Sequence, residues 1–287
     1  MPELPEVEAL RAFLTEKLLD ATIARTELTA FSALKTYQLP LSALHGLEID
    51  AVVRRGKFIG ISAGGLWLAF HLARAGWLTW KDTMPRTPAR PGRGPLAFRL
   101  VLADNAGFDL TEAGTQRKLA LYLVNDLLDV PGIATLGPDP LADSFDREAL
   151  AGILGQAGRA QLKGVLRDQR VVAGVGNAYS DEILHAARLS PFKPANGLSA
   201  DELDRLFAAV KDELAAAIAR SVGLAAKDLK GEKKLGLRVH GRTGERCDVC
   251  GSTIAEVSFA DSSLQYCPGC QTGGKLLADR RLSRLLK

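Results

Sequence analysis

No cysteine precedes Cys247 in this 287-residue chain, and no apolar run approaches the ~18 residues that a membrane span needs. The longest candidate, residues 65–72, is the size of a strand. The first absence argues against a disulfide-stapled scaffold, and the second against a helical membrane protein. Aromatic residues are few, at 6%. The four histidines have no helical or metal-like partners in the sequence and are expected to be structural or surface residues. Internal repeats and low-complexity segments are missing as well. What remains is a globular chain, 47% hydrophobic, long enough for two or more units. Its opening does not read as a secretory leader, so a reducing compartment is expected. Excess charge of either sign is small, at +4 overall, but it is unevenly placed. Residues 221–287 hold 12 Lys/Arg against 7 Asp/Glu, and the rest holds 25 against 26. A basic C-terminal region suggests a polyanion, nucleic acid first, with an ordinary solvated surface as the alternative.

The four cysteines form two pairs, Cys247-x2-Cys250 and Cys267-x2-Cys270, with sixteen residues between them. Two such knuckles can close four thiolates into a tetrahedron around one Zn²⁺. Gly251, Pro268 and Gly269 supply the turns. With four protein ligands no position stays open for substrate, so this zinc is expected to be structural. Residues 245–271 are too few to build a core unaided. Two disulfides are the alternative reading.

Val7, Leu10, Leu14 and Leu18 repeat at helical spacing, so the chain should begin with an amphipathic helix. Strand-like segments follow at 22–28, 49–54, 58–62, 66–71, 76–80, 96–102, 107–110 and 117–124, separated by turn residues. Residues 82–95, with four prolines and three arginines, read as a long surface loop. Trp67, Trp77 and Trp80 lie on strands and are expected to pack in the core or at an edge. Beyond a Pro- and Gly-rich stretch at 130–145 the period turns helical, with candidates at 146–154, 159–168, 177–188 and 199–220. Ser199 and Glu202 make a capping box for the last of these. Lys227, Lys230, Lys233 and Lys234 read as a solvated loop. The expected fold class is multidomain α+β, with boundaries at 1–130 for a β-sandwich, 131–145 for a linker, 146–235 for a helical domain, and 236–287 for the zinc hairpin and a basic tail that includes Arg280, Arg281, Arg284 and Lys287.

Two motifs carry chemistry. The first is the opening Met1-Pro2-Glu3-Leu4-Pro5-Glu6. Removal of the initiator methionine would leave Pro2 with a free secondary amine. A terminal amine has a pKa of ~7.7–8.0, so about one in seven is unprotonated at pH 7, far more than for an ordinary lysine. Schiff-base chemistry on a sugar carbon then becomes possible, with Glu3 or Glu6 moving protons. The alternative is a helix N-terminus with well-placed acids. The second motif is Gly174-Val175-Gly176-Asn177-Ala178-Tyr179. It imitates a dinucleotide loop but lacks the third glycine and a preceding strand. A glycine turn joining two helices fits better, its amides and the Asn177 side chain facing a phosphate.

These segments, together with Arg55-Gly56-Lys57-Phe58 and Val239-His240-Gly241-Arg242 before the cysteines, resemble the formamidopyrimidine-DNA glycosylase family over nearly the whole chain. The resemblance implies a cytoplasmic, nucleoid-associated bacterial enzyme of base-excision repair. It would bind double-stranded DNA containing damaged bases or abasic sites as a monomer, through a helix–two-turn–helix motif and a zinc finger, with one structural Zn²⁺ on Cys247, Cys250, Cys267 and Cys270. Pro2 would attack C1′ of an extruded damaged nucleotide, Glu3 would carry protons, and β- and δ-elimination would cut the strand. Lys57 would sit near the lesion phosphate, Lys163 and Asn177 would contact DNA, and Arg117 would face the orphaned base. The lysine run would lie in the region that covers the extruded base.

Three positions depart from that family's pattern. Arg74 stands where a methionine usually fills the hole in the duplex, Lys118 replaces an aromatic wedge, and Ser262 replaces an arginine on the lesion phosphates. Apolar wedges offset the cost of unstacking, so these changes bear on which lesion is accepted. An oxidised-pyrimidine enzyme of the endonuclease VIII type and a non-catalytic damaged-DNA-binding relative are the competing readings.

Overall fold

The first helix begins where its sequence says it can. Proline is tolerated in a first turn, and an acid three residues after the cap can turn back on it. In the computed structural model, which describes residues 1–92, 94–114, 116–259 and 262–278, α1 (Leu4–Leu18) is capped by Glu3. The Glu6 carboxylate accepts the Glu3 backbone N–H at 2.8 Å. Val7, Leu10, Leu14 and Leu18 are all buried, as their spacing requires. The basic tail at 280–287 lies outside the described residues.

Eight strands follow: β1 (Ile23–Leu28), β2 (Ile49–Arg55), β3 (Phe58–Ala63), β4 (Leu66–His71), β5 (Gly76–Lys81), β6 (Leu96–Leu102), β7 (Gly107–Glu112) and β8 (Ala120–Val124). They form two antiparallel four-stranded sheets, ordered β1-β6-β7-β5 and β2-β3-β4-β8. One apolar core unites the sheets and α1, drawing Leu10 and Leu14 from the helix, Ile59 and Phe70 from one sheet, and Phe98 and Phe108 from the other. A row of charges crosses the first sheet: Glu27, Arg99 and Asp109 are register partners on β1, β6 and β7. Arg99 donates to both oxygens of Asp109, at 2.7 and 3.0 Å.

The last strand begins later than its sequence suggests. Residues 117–119 are not in the sheet because the Glu112 carboxylate takes the backbone N–H groups of Lys118 and Leu119 at 2.8 and 3.0 Å. A backbone donor captured by a side chain cannot join a ladder. The described residues of the proline-rich 82–95 segment form no helix or strand, yet the segment is pinned: Met84 is buried, and Ala89 N–H donates to Glu27 at 2.7 Å.

The chain divides into two compact units, Met1–Leu136 with Ile218–Glu232, and Gly137–Ala217 with Lys233–Lys287. In the first, the short α2 (Pro131–Ala134) follows the sandwich, and the returning segment packs on it, Trp77 Nε1 donating to Ala226 O at 3.0 Å. The second holds α3 (Arg147–Ala157), α4 (Leu162–Arg167), α5 (Asn177–Ala186) and most of α6 (Ala200–Ser221). The capping box at α6 forms as its sequence suggests, Ser199 N–H donating to Glu202 at 2.9 Å and Glu202 N–H to Ser199 Oγ at 3.3 Å. Where a solvated lysine loop was expected, α7 (Leu229–Gly236) forms instead, with Leu229 buried and Lys230 Nζ 4.5 Å from the Trp77 ring centroid. Lysine stems cover apolar surface while their charged ends remain near the edge. β9 (Ala255–Ser258) and β10 (Ser263–Tyr266) make the C-terminal hairpin, and α8 (Pro268–Thr272), capped by Cys267, carries Cys270. No helix among the described residues is long and apolar enough to cross a membrane.

Candidate active site and nucleic-acid interface

In the first unit, Pro2 and Glu3 head α1 and are both buried, while Met1 is exposed. The turn between β2 and β3 carries Lys57, itself only 7% exposed. A charged clasp sets the turn against the helix: Arg54 Nε donates to Glu8 on α1 at 2.7 Å, and Arg54 Nη1 to Gly56 O at 3.1 Å. Burial pulls the Glu8 carboxyl pKa upward, but hydrogen bonds from Arg54 and Arg11 outweigh it and leave the pKa below the ordinary value. Glu8 thus stays ionised and the clasp stays closed at neutral pH.

His71, at the end of β4, pairs in register with Phe58 next to Lys57, and its ring lies 4.8 Å from that of Phe58. Its Nδ1 accepts the Ala73 N–H at 3.1 Å. Burial, then the Lys57 charge, push its pKa down to about 4. Neutral His71 therefore holds the loop that presents Arg74. A depressed histidine pKa favours the folded state above the unfolded value and withdraws that contribution as pH falls through the folded one. Between pH 6.5 and 4 the first unit is expected to lose stability, its melting temperature falling by about 5 °C or more. His71→Asn, which keeps an acceptor for Ala73 but does not titrate, is expected to flatten the slope; melting curves across that range check it.

The Arg74 loop is tight. Ala73 takes a left-handed φ of 53°, and a Cβ added at Gly76 would meet Leu72 O at 2.1 Å. That contact is with backbone, so Gly76→Ala is expected to cost about 2 kcal/mol and to displace Arg74, read as a lower melting temperature. The Arg74 side chain is exposed, as is that of Lys118. Arg117 is exposed too and donates to Gly94 O at 3.0 Å.

In the second unit, Gly174 turns the chain with φ 86°, and Gly176 caps α5. Asn177 opens that helix; its Nδ2 donates to Ser263 O at 2.8 Å, and its Oδ1 is buried without a partner among the described residues. An amide nitrogen has two hydrogens, so one Asn177 donor is still available after the Ser263 bond. Lys163 is buried on α4, and its ammonium donates to Asn177 O at 3.0 Å, Ser180 Oγ at 2.9 Å and Asp181 Oδ1 at 2.6 Å. It therefore fixes the first turn of α5 from beneath.

Asp181 and Glu182 follow the Gly174–Tyr179 motif on α5, and sequence reasoning missed what they do. The second Asp181 oxygen meets His240 Nδ1 at 2.8 Å and Gln265 N–H at 3.2 Å. Glu182 accepts the backbone N–H groups of Arg238, Val239 and His240 at 2.8, 3.0 and 2.8 Å. Burial is the largest influence on Glu182 and leaves its pKa raised despite those donors. Adjacent acids on one buried helix thus anchor the Val239-His240-Gly241-Arg242 motif. The partners are 56 to 59 residues away in sequence, so no local pattern announces them.

All four cysteines are free thiols, which excludes the disulfide reading for this structure. Cys250 Sγ lies 3.3 Å from Cys267 Sγ, and Cys247 Sγ lies 3.9 Å from Cys270 Sγ. A ZnS4 tetrahedron with ~2.3 Å bonds has edges of about 3.8 Å, which these separations bracket. Burial drives the Cys267 thiol up to about 11 and Cys270 higher still, whereas Ser252 draws Cys250 down to about 6. Four thiolates would repel one another here without a cation, so the donor set fits one structural Zn²⁺ held by Cys247, Cys250, Cys267 and Cys270. That ion would close the β9–β10 hairpin and take no part in bond breaking. The histidine expectation needs correcting at one position: His185 Nε2 lies 3.4 Å from Cys247 Sγ.

Comparison with known proteins gives three matches along the chain. Residues 1–117 match the formamidopyrimidine-DNA glycosylase N-terminal domain, residues 136–227 the helix–two-turn–helix domain of formamidopyrimidine-DNA glycosylase, and residues 244–273 the zinc finger found in that enzyme and in IleRS. The formamidopyrimidine-DNA glycosylase of Moorella thermoacetica is 36% identical over 271 residues, covering 90% of this chain and 94% of that protein. An uncharacterized formamidopyrimidine-DNA glycosylase-like protein of Mycobacterium tuberculosis is 60% identical over 158 residues, 55% of this chain and 98% of its own length. Among solved structures, the Lactococcus lactis glycosylase bound non-covalently to DNA containing an abasic site aligns with a TM-score of 0.81 and 26% identity, covering 94% of this chain and 99% of that one.

Proposed function

Since the chain belongs to the formamidopyrimidine-DNA glycosylase family, we propose that it removes oxidised bases from double-stranded DNA and cuts the strand at the resulting abasic site. The observation that carries this reading is the buried Pro2-Glu3 pair at the head of α1, with Lys57 held against the same helix by the Arg54–Glu8 clasp. In the mature chain the Pro2 nitrogen lone pair bonds to C1′ as the bond from C1′ to the damaged base breaks, and the base leaves with a proton. Glu3 transfers the proton that opens the sugar ring, leaving an iminium between Pro2 and C1′. Loss of a C2′ proton then expels the 3′ phosphate, and a second elimination expels the 5′ phosphate. Lys57 neutralises the lesion phosphate.

The α5 N-terminus, with Asn177 at its first position, suits a phosphate beside the lesion. Lys163 acts on DNA through the Asn177 backbone that it holds in place. Arg74 and Arg117, both exposed, reach into the duplex where the nucleotide leaves it. Exposed cations at Arg74 and Lys118 stack less well into a gap than apolar wedges do, which favours bases already poorly paired. The protein is read as a monomer acting in the bacterial cytoplasm.

A panel of duplexes, each with one lesion or one abasic site, tests the proposal by strand scission. Cleavage at the abasic site and release of at least one oxidised base are expected. Binding without scission at any site would establish instead the non-catalytic reading, and release of oxidised pyrimidines alone the endonuclease VIII-type one.

A further inference from the structure

The zinc cluster has five donors within reach, one more than a tetrahedron can use. His185 Nε2 and the sulfurs of Cys247, Cys267 and Cys270 all lie within 4.8 Å of one another. With Zn–N of 2.0–2.1 Å and Zn–S of ~2.3 Å, the N···S edge of a tetrahedron is about 3.6 Å. The observed separation from His185 Nε2 to Cys247 Sγ is 3.4 Å. We propose that His185 is a reserve ligand of the zinc site, able to complete a tetrahedron with Cys247, Cys267 and Cys270 when Cys250 does not bind.

Three further observations support this. His185 is only 3% exposed, and its Nδ1 is buried with no partner among the described residues. No second hydrogen bond therefore turns the ring away from the sulfurs, and its one polar contact among the described residues is Nε2 with Cys247 Sγ. The ring is also well placed. His185 follows Asp181 by four residues and Glu182 by three, so all three lie on one face of α5. The first two anchor residues 238–240 just before Cys247, and His185 consequently approaches the first knuckle on a rigid element. Lastly, Cys250 is the one exposed cysteine, whereas Cys247 and Cys267 are buried and Cys270 is half-buried. The ligand most open to competing chemistry is the one for which a substitute lies within the cluster.

The inference rests on the zinc reading, and its test separates the two. Full-length protein is dialysed against a competing chelator, and zinc per chain is measured by mass spectrometry. The spectrum after Co²⁺ substitution then reports the ligand set. Wild type is expected to retain one zinc; if it retains none, the zinc reading itself fails. Cys250→Ala is expected to keep its zinc, with the Co²⁺ d–d bands shifted to shorter wavelength by a nitrogen replacing a sulfur. His185→Phe, which keeps a packed ring without a donor, is expected to bind as wild type does. The double variant C250A/H185F is expected to lose zinc at a chelator concentration about 10-fold lower or less than C250A requires. The proposal is overturned if C250A loses metal as readily as Cys247→Ala, or emerges unfolded and metal-free. It is equally overturned if adding H185F leaves metal retention and the Co²⁺ spectrum of C250A unchanged.

Discussion

Asp181→Ala is expected to destabilise the second unit by about 3–5 kcal/mol, the range for removing one partner of a buried ion pair. The Asp181 side chain is fully buried and that of Lys163 is 5% exposed, so the lysine would lose the carboxylate 2.6 Å from its ammonium in a place that water hardly reaches. His240 and Gln265 would lose their acceptor in the same step. Thermal unfolding should register a fall of about 10 °C or more. The origin of the loss can be separated by a second change. A buried pair replaced by apolar groups is often neutral, because its desolvation cost disappears with it. Lys163→Met in the Asp181→Ala background should therefore restore part of the stability. A D181A protein within about 1 kcal/mol of wild type, or no recovery in the double variant, would show that the Lys163–Asp181 contact does not fasten α4 to α5.

The larger effect is expected at the other end of the chain. Pro2→Gly leaves a primary amine on a flexible residue, and retention of Met1 converts the proline nitrogen into an amide with no basic lone pair. In the second case strand scission at an abasic site should fall by at least about 10³-fold, the scale on which loss of a covalent nucleophile is felt. DNA affinity should change little, because the phosphate contacts assigned to Asn177 and Lys57 remain. Pro2→Gly should lie between the two. Single-turnover cleavage together with a binding titration separates chemistry from affinity, and equal losses in both would point to misfolding instead.

Much of this architecture could be read from local pattern, because the forces that shape it act over short spans. The α1 stripe of Val7, Leu10, Leu14 and Leu18 is buried throughout. Eight strand segments appear where alternation and turns place them, since a hairpin register depends on neighbours a few residues apart. The two knuckles announce their metal by spacing alone. What the sequence hid was side-chain capture of backbone donors and contact between residues far apart in the chain. Glu112 shortens β8 by capturing two backbone donors six and seven residues away, a competition that no propensity records. α7 reads as a lysine loop because the Trp77 ring beside Lys230 lies far away in sequence. His185 carries no metal signature because its sulfur neighbour is 62 residues distant. Asp181 and Glu182 likewise look like ordinary helix acids until the segment they hold is folded against them.

Borohydride reduction in the presence of abasic-site DNA, followed by mass analysis of the N-terminal peptide, examines the proposed chemistry most directly. Reduction turns an iminium between Pro2 and deoxyribose C1′ into a stable amine, so the adduct should be found on Pro2 in chains that have lost Met1 and be absent from chains that retain it. An adduct on Lys57 or another lysine, or efficient cleavage by chains still carrying Met1, would contradict the assignment of Pro2 as the nucleophile.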